Sequence, residues 1–397
     1  MQTNPFPAIL LAGSSNSGKS VLSFLLTAHL RKMHISHYLL RTMPADENNW
    51  YLESDDQSLV RTLRSEHKRG YSAKFIMQML RVIEQRRVPL LVDIGGEPQD
   101  DQFGLIEACS HSVLLYDDEA ICAKWQAMLA HAGLQPVAEL LSRQVADDQI
   151  LEQRPVLTGF ISGLECDPAQ RKMGTTFEAL LSRVAGICNY EEAYLERLHL
   201  ADAPYPPLVE RELARNLGMP VAEKLFWHPE VLPMLTKLVG AGDIAALYGH
   251  GPVWLAAMLA AQTLPAPLSI FDVRFGWVTV PQVRHGPQGG LSVSYAPAAV
   301  DGALWACIKL SKEGMLEKGG FSIATPPNHD GLILSGKLPR WTFAALTRFF
   351  VKNHASHKNS HTQWIAIHDP DYHHAVVVFS RCKSMPLGTV LLLKHRK

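Results

Sequence analysis

Eight residues near the start of the chain, GSSNSGKS at positions 13–20, have the types and spacing that bind phosphate. They match G-x-x-x-x-G-K-[ST] and lie between an apolar run, PAILLAG, and a segment with helical spacing. Glycines let the backbone wrap phosphate oxygens, and N–H groups at a helix start attract an anion. The residues predicted to bind nucleotide here are Gly13, Ser14, Asn16, Ser17, Gly18, Lys19 and Ser20.

Within this loop, Lys19 would reach the β- and γ-phosphates of ATP, and Ser20 would bind Mg²⁺. A second apolar run, PLLVDIGGEPQDD, ends its strand at Asp93, which we predict to contact the same Mg²⁺. Glu97 is a candidate to orient a water molecule. The alternatives are a Gly/Ser-rich turn with an incidental lysine, and an aspartate that caps the next helix. Whether ATP is hydrolysed, transferred or only held stays open.

A second set of residues occurs twice, as LYGHGPVW at 247–254 and LSGKLPRW at 334–341. Each copy continues into a helix, a strand that ends in aspartate, and two further strands. A further strand, at 303–311, opens the second copy, and the first has no clear counterpart before residue 243. We interpret the pair as a duplicated small α+β unit that forms a fused pseudo-dimer. The matched positions are Gly249 with Gly336, Pro252 with Pro339, Trp254 with Trp341, and Asp272 with Asp369.

The repeated turn has the composition of an anion site. Glycine permits a backbone turn that a β-carbon would hinder, and proline suits the first helical turn because it needs no N–H partner. Two such helix starts would bind a ligand with repeated phosphates. The alternative is a tight strand–helix turn whose tryptophans belong to the core. The residues predicted to bind the ligand are Gly249, His250, Gly251, Pro252, Gly336 and Lys337.

The elements around these residues indicate the fold class. Apolar strands alternate with helices up to about residue 200, which predicts a parallel sheet covered on both faces. We place a P-loop nucleotide-binding domain at 1–200, a helical connector at 201–240, the first repeat at 241–300 and the second at 301–397.

Charge distribution, cysteine spacing and hydropathy limit the ligands and the cellular location that we expect. Residues 340–397 hold nine Lys and Arg against two Asp, so this tail carries +7 in a chain of net charge zero. Such a tail suits an anionic ligand, or is a solvated basic face. Six cysteines without a C-x-x-C predict reduced thiols. The chain has no apolar run of about 18 residues and no signal peptide pattern at its start. We therefore expect no membrane partner and a cytoplasmic location.

The segments GHGPVWLAAMLA and SIFDVRFGWVTV resemble the CRISPR-associated Csx3 family of ring nucleases. The resemblance covers 243–296 well and 303–397 more loosely. It implies a ferredoxin-like, dimeric protein that opens cyclic tetra-adenylate in type III CRISPR systems, usually with manganese, and sometimes fused to an ATPase-like domain. The expected fold is thus α/β, with an N-terminal P-loop NTPase parallel sheet followed by two tandem ferredoxin-like α+β repeats that form a pseudo-dimer. We expect a dimer or higher homo-oligomer.

The family's catalytic pattern is a histidine after the helix, then Asp-x-Arg at the next strand end. The first copy supplies Asp272 and Arg274 but has no histidine between Trp254 and Asp272. In the second copy Asp371 stands where arginine is expected, and three histidines precede the strand end: His354, His357 and His361.

This pattern suggests a divided site. Asp272 would bind Mn²⁺ or its water, Arg274 would neutralise the transition state, and His361 would move a proton. The alternatives are a structural Asp–Arg pair and solvated loop histidines. Three functions compete: a cyclic oligoadenylate phosphodiesterase with an ATPase-like domain, a sensor of that messenger, and a small-molecule kinase or ligase with a structural C-terminal half.

Overall fold

The structure is a computed structural model that describes residues 4–42, 73–95, 102–143, 148–165, 173–221, 225–286, 291–300, 302–310, 320–356, 362–369 and 374–392. Contacts divide the chain into two compact units. Unit 1 consists of residues 1–198 and 273–276, and unit 2 of residues 199–272 and 277–397.

Unit 1 contains a seven-stranded sheet that is parallel except at one edge. Its strands are β1 (Ala8–Gly13), β2 (Tyr38–Arg41), β3 (Leu90–Asp93), β4 (His111–Tyr116), β5 (Gln135–Ser142), β6 (Gln149–Glu152) and β7 (Leu157–Ile161). They follow the order β2-β3-β1-β4-β5-β7-β6, and only β6 pairs antiparallel, with β7. The described helices are α1 (Lys19–Lys32), α2 (Ala73–Glu84), α3 (Phe103–Glu107), α4 (Glu119–His131), α5 (Thr175–Cys188) and α6 (Glu192–Ala201).

Both faces of this sheet are buried, because alternate residues of each strand pack into different cores. Ile9 and Leu11 of β1 belong to a cluster with residues of α1 and α5. Leu10 belongs to a second cluster, with residues of α2, α3 and α4. This two-sided burial explains why the strands read as continuous apolar runs. The prediction of an α/β protein with a parallel sheet is confirmed.

Unit 2 begins with a four-stranded sheet of order β11-β10-β9-β8. Its strands are β8 (Pro207–Val209), β9 (Ala245–Tyr248), β10 (Leu268–Asp272) and β11 (Gly276–Thr279), and β8, β9 and β10 are parallel. Its helices are α7 (Glu210–Asn216), a 3₁₀ helix at Pro229–Val231, α8 (Leu232–Leu238) and α9 (Val253–Gln262).

The second sheet of unit 2 has six strands in the order β13-β14-β16-β17-β18-β19, and β12 and β15 form a separate parallel pair. In the larger sheet β14, β16 and β17 are parallel and the outer pairings are antiparallel. The elements are β12 (Val283–His285), β13 (Leu291–Pro297), β14 (Ala303–Leu310), β15 (Phe321–Ile323), β16 (Gly331–Ser335), α10 (Arg340–Ser356), β17 (Trp364–Asp369), β18 (His374–Ser380) and β19 (Val390–Leu392).

The four strands β8, β9, β10 and β11 of the first sheet correspond in order to β14, β16, β17 and β18 of the second. β8 pairs in parallel with β9 as β14 pairs with β16, so β8 is the counterpart that the sequence did not reveal. The segment 201–240, expected to be a helical connector, therefore also supplies a sheet strand. The first copy runs β-α-β-α-β-β, because β8 needs a crossover to reach β9 in parallel. This order differs from the β-α-β-β-α-β of the ferredoxin-like fold that the resemblance implied.

The helices of the two copies interlock. α9, from the first copy, packs on α10 and on β17 and β18 of the second copy, and α10 contacts β10 of the first. Trp254 and Trp341 are 2% and 1% exposed, so both tryptophans are core residues. Arg348 of α10 donates to the Ala260 carbonyl (3.0 Å) and to Thr263 Oγ1 (2.7 Å), at the carboxyl end of α9. The duplicated halves thus share one interior.

Candidate functional sites

The predicted phosphate loop joins β1 to α1, and its backbone requires glycine at two points. Gly13 has φ +131°, and a β-carbon there would overlap the carbonyl of Leu115. Gly18 has φ 88° and precedes the first residue of α1. Asn16 is also left-handed, at φ 66°. These angles curl the loop around the N-terminus of α1, where N–H groups are available to phosphate.

Lys19 is folded back onto the loop. Its Nζ donates to the Gly13 carbonyl (2.9 Å) and to the Ser14 carbonyl, and the side chain is 6% exposed. Burial lowers the pKa of Lys19 from 10.5 to about 8, against the opposing attraction of Asp93 and Asp117. The Ser17 hydroxyl donates to the same Ser14 carbonyl, at 2.9 Å. A buried ammonium group that donates to two loop carbonyls is well placed to donate to phosphate oxygens instead.

Asp93 lies at the carboxyl end of β3, next to β1, and is fully buried. Its Oδ2 accepts a hydrogen bond from Ser23 Oγ of α1 at 3.1 Å, and Oδ1 has no partner within the described residues. Burial raises the pKa of Asp93, although the Ser23 hydrogen bond and the charge of Lys19 oppose the shift. An unpartnered carboxylate oxygen near the Ser20 hydroxyl fits Mg²⁺, which prefers oxygen ligands. Glu97 lies outside the described residues.

The sequence did not single out Asp117, which follows β4 on the other side of β1. Its Oδ1 accepts a hydrogen bond from Ser14 Oγ at 2.6 Å. The signal was present, because β4 is an apolar strand that ends in Tyr-Asp-Asp and the carboxyl ends of parallel strands share an edge. The loop is therefore flanked by two carboxylates, Asp93 and Asp117.

In unit 2 the first Gly-x-Gly-Pro turn surrounds a carboxylate of the protein itself. The Gly251 N–H donates to Glu210 Oε2 at 2.6 Å. Gly249 has φ +143°, and a β-carbon there would lie 2.6 Å from Glu210 Cδ. Glu210 is the first residue of α7 and is 3% exposed. One of the amides predicted to bind ligand is thus already engaged; His250 beside it is exposed.

Arg340 brings the second turn to the first. It is the first residue of α10, and its Nη2 forms an ion pair with Glu210 Oε1. Its Nη1 donates to the Gly249 carbonyl at 2.7 Å. Pro252 directly precedes α9. Sequence reasoning missed both Glu210 and Arg340, because 130 residues separate them, Glu210 lies in no motif, and Arg340 takes the unmatched position between Pro339 and Trp341.

The second turn, at 334–341, differs from the first in that its lysine is exposed. Gly336 lies against the carbonyl of Ile308, which leaves no room for a β-carbon, and Lys337 is exposed. The neighbouring Ser335 hydroxyl bonds His368 Nδ1 at 2.9 Å. The exposed lysine remains available to a ligand phosphate.

The structure describes some of the predicted catalytic residues and not others. Asp272 ends β10, and its Oδ2 accepts a hydrogen bond from Trp341 Nε1 at 3.1 Å. Arg274 lies in the tip 273–276, which is grouped with unit 1, and its guanidinium lies 5.0 Å from the ring centre of Phe275. His357 and His361 lie outside the described residues, as does the side chain of His354. No group of three His, Cys, Asp or Glu that could hold a metal occurs within the described ranges.

Residues 322–392 match the family model CRISPR-associated protein (Cas_csx3). The matched segment runs from β15 to β19 and includes the second turn with Gly336, Lys337 and Trp341. The match supports the resemblance to this CRISPR-associated family for the second copy; the first copy and unit 1 lie outside it. No curated protein matches the chain. Within the described part, no helix is long and apolar enough to cross a membrane, and five cysteines are free thiols.

Proposed function

We propose that this protein binds cyclic tetra-adenylate and cleaves it to linear products, which would switch off antiviral CRISPR signalling. Two observations support this: residues 322–392 match a CRISPR-associated family, and Trp341 of the second copy bonds Asp272 of the first. The hydrogen bond carries the proposal, because it fixes a carboxylate of one copy on the helix start of the other. A site assembled from both copies matches a ligand with repeated phosphates.

The proposed reaction is an attack by a ribose 2′-hydroxyl on the adjacent phosphorus. The new P–O2′ bond forms as the P–O5′ bond breaks, and the proton lost from the 2′-hydroxyl is replaced by one delivered to the leaving 5′-oxygen. Arg274 would neutralise the charge that grows on the phosphoryl oxygens, and His361 would move one of these protons. Asp272, oriented by Trp341, would hold the attacking 2′-hydroxyl.

The predicted Mn²⁺ site is not built by the described residues. Among them no group of three His, Cys, Asp or Glu could hold a metal ion, and one oxygen of Asp272 already accepts the Trp341 N–H. A divalent ion needs more ligands than this.

For unit 1 we propose binding of ATP and Mg²⁺ at the loop 13–20. The support is the left-handed glycine geometry, the buried Lys19 and the unpartnered Oδ1 of Asp93. Ser20 and Asp93 would hold the Mg²⁺, which would neutralise phosphate charge when bound. Lys19 would exchange its two loop carbonyls for phosphate oxygens. Ser14 would stay fixed by Asp117.

One experiment separates the competing functions. Full-length protein is incubated with labelled cyclic tetra-adenylate, with and without Mn²⁺, and the products are resolved. Linear products support the phosphodiesterase, whereas binding without products identifies a sensor. ATP-dependent phosphate transfer to a metabolite, with no binding of cyclic tetra-adenylate, would refute both functions and identify a kinase.

A further inference from the structure

More hydrogen-bond donors surround the first turn of unit 2, at 247–254, than the Glu210 carboxylate accepts. Glu210 accepts from the Gly251 N–H and from Arg340 Nη2. Two further donors have no partner within the described residues, Trp227 Nε1 and Arg340 Nε. Buried donors are nearly always paired in native proteins, so unpaired ones call for an explanation.

The unpaired indole points at the turn. A β-carbon placed on Gly251 would lie 3.0 Å from Trp227 Nε1 and would also touch Glu210 Oε2. The indole nitrogen and the carboxylate oxygen thus lie over the same glycine. Trp227 is 9% exposed and Glu210 is 3% exposed, so bulk water does not supply the missing partner freely.

The Glu210 carboxylate resembles a phosphodiester group in its charge and its oxygens. Both groups carry one negative charge and present two equivalent oxygens. One carboxylate oxygen takes an arginine N–H and the other a backbone N–H at the start of α9, a ten-residue helix. Arginine and helix starts are the partners that phosphate oxygens choose in proteins. A phosphorus centre is larger than a carboxyl carbon, so its oxygens and ester oxygens extend further towards Trp227.

We infer that Glu210 is an intramolecular stand-in for a ligand phosphodiester at the first turn. The ligand would displace the carboxylate from Gly251 and Arg340 and would also accept the Trp227 N–H. Glu210 therefore competes with the ligand and sets its affinity, since only the fraction of molecules with the carboxylate displaced is competent to bind. The inference rests on the proposed binding of an oligoadenylate, and it names the group that limits that binding.

The test uses full-length protein and two probes, cyclic tetra-adenylate and the dinucleotide ApA, which carries one phosphodiester. Glu210→Gln keeps the side-chain shape but removes the competing charge. We expect it to bind both probes about tenfold more tightly than the unsubstituted protein. The matched control is Glu212→Gln, the same charge change at an exposed position of α7, which should leave both affinities unchanged. Equal or weaker binding by Glu210→Gln would overturn the inference.

A second measurement needs no change at Glu210. In ¹⁵N-labelled protein the indole N–H resonance of Trp227, assigned with Trp227→Phe, should shift downfield as ApA is added and reach a plateau. A resonance that stays in place at saturating ApA overturns the inference even if Glu210→Gln fails to fold.

The two proposals fail differently. Cleavage of cyclic tetra-adenylate with no Trp227 shift and no effect of Glu210→Gln refutes the stand-in and leaves the ring nuclease intact. A Trp227 shift with ApA and tighter binding by Glu210→Gln, without binding of cyclic tetra-adenylate, supports the stand-in and refutes the proposed function.

Discussion

Trp341 Nε1 donates a hydrogen bond to Asp272 Oδ2 across 3.1 Å. Trp341 follows the first residue of α10 in the second copy, and Asp272 ends β10 in the first. Asp272 is therefore oriented by a tryptophan of the second copy that is 1% exposed. This hydrogen bond joins the carboxyl end of β10 to the first turn of α10.

Trp341→Phe should weaken both the fold and the proposed site. It retains an aromatic ring but removes the N–H that bonds Asp272. We expect the free energy of unfolding of the protein to fall by about 1–2 kcal/mol, measured by denaturant titration. The check is a double-mutant cycle with Asp272→Ala, in which Trp341→Phe should cost much less. An unchanged cost in that background would show that packing, not the hydrogen bond, is responsible.

Asp272→Ala and His361→Ala should each abolish cleavage of cyclic tetra-adenylate if the divided site is correct. The measurement is the rate of linear product formation under single-turnover conditions. Recovery of activity on mixing the two variants would locate the site between chains, and continued inactivity would locate it within one chain. Normal rates in both variants would refute the assignment.

The pH dependence of ATP binding should follow Lys19. Burial lowers the pKa of Lys19 to about 8 from 10.5 in the unfolded chain, and bound phosphate would favour its charged form. Binding therefore takes up a proton above pH 8, and affinity should fall by up to about tenfold per pH unit between 8 and 10.5, measured by calorimetry. Lys19→Met should bind weakly at every pH, so a similar pH slope in that variant would exclude Lys19 as the cause.

The same lysine should affect stability with a defined sign. Because its folded pKa is depressed, the unfolded chain binds more protons between pH 8 and 10.5. The free energy of unfolding contributed by Lys19 should thus rise with pH across that window, from a penalty that is fully present below 8. Comparing the unfolding of the unsubstituted protein and Lys19→Met at pH 7 and pH 10 isolates this contribution. A larger penalty at the higher pH would contradict the buried cation.

Arg348→Met should destabilise unit 2. Arg348 donates to the Ala260 carbonyl and to Thr263 Oγ1, and burial lowers its pKa to about 10. Removing it leaves the carboxyl end of α9 without these donors, and we expect a loss of about 2–3 kcal/mol in urea unfolding. Lys352→Met, at an exposed position of the same helix, is the matched control and should change stability by less than about 0.5 kcal/mol. Equal effects of the two variants would contradict a role for the interhelical bonds.

Asp93→Asn should separate metal binding from folding. Burial raises the pKa of Asp93, so its ionised form costs folding energy that the neutral amide avoids. We expect a melting temperature that is equal or higher, together with loss of Mg²⁺-dependent ATP binding in calorimetry. Retained Mg²⁺ dependence would exclude Asp93 as a ligand.

Much of unit 1 could be predicted from the residues in order. The apolar strands, the left-handed glycines of the loop 13–20 and the helix after it are set by neighbouring residues, and the structure contains all three. Asp117 was missed although β4 is an apolar strand followed by two aspartates, because only the strand order places the end of β4 beside the loop that follows β1.

Fewer features of unit 2 could be predicted from the sequence. The paired turns at 247–254 and 334–341 could be recognised, because glycine, proline and tryptophan each serve a local conformational or packing need. The strand β8 could not be recognised, because a strand of three residues is too short to show a hydropathy pattern and is defined by its pairing with β9.

The sequence by itself determined the parallel α/β sheet of unit 1, and it predicted a phosphate-binding loop on that sheet and a pair of similar glycine–proline turns in the second half of the chain. Only the tertiary structure decided that Glu210 meets Arg340 over 130 positions and that Asp272 meets Trp341 over 69. The physical reason is that turn geometry and burial periodicity act between neighbours in the chain. A buried ion pair or a shared indole hydrogen bond instead depends on how helices and sheets pack, which no short stretch of residues specifies.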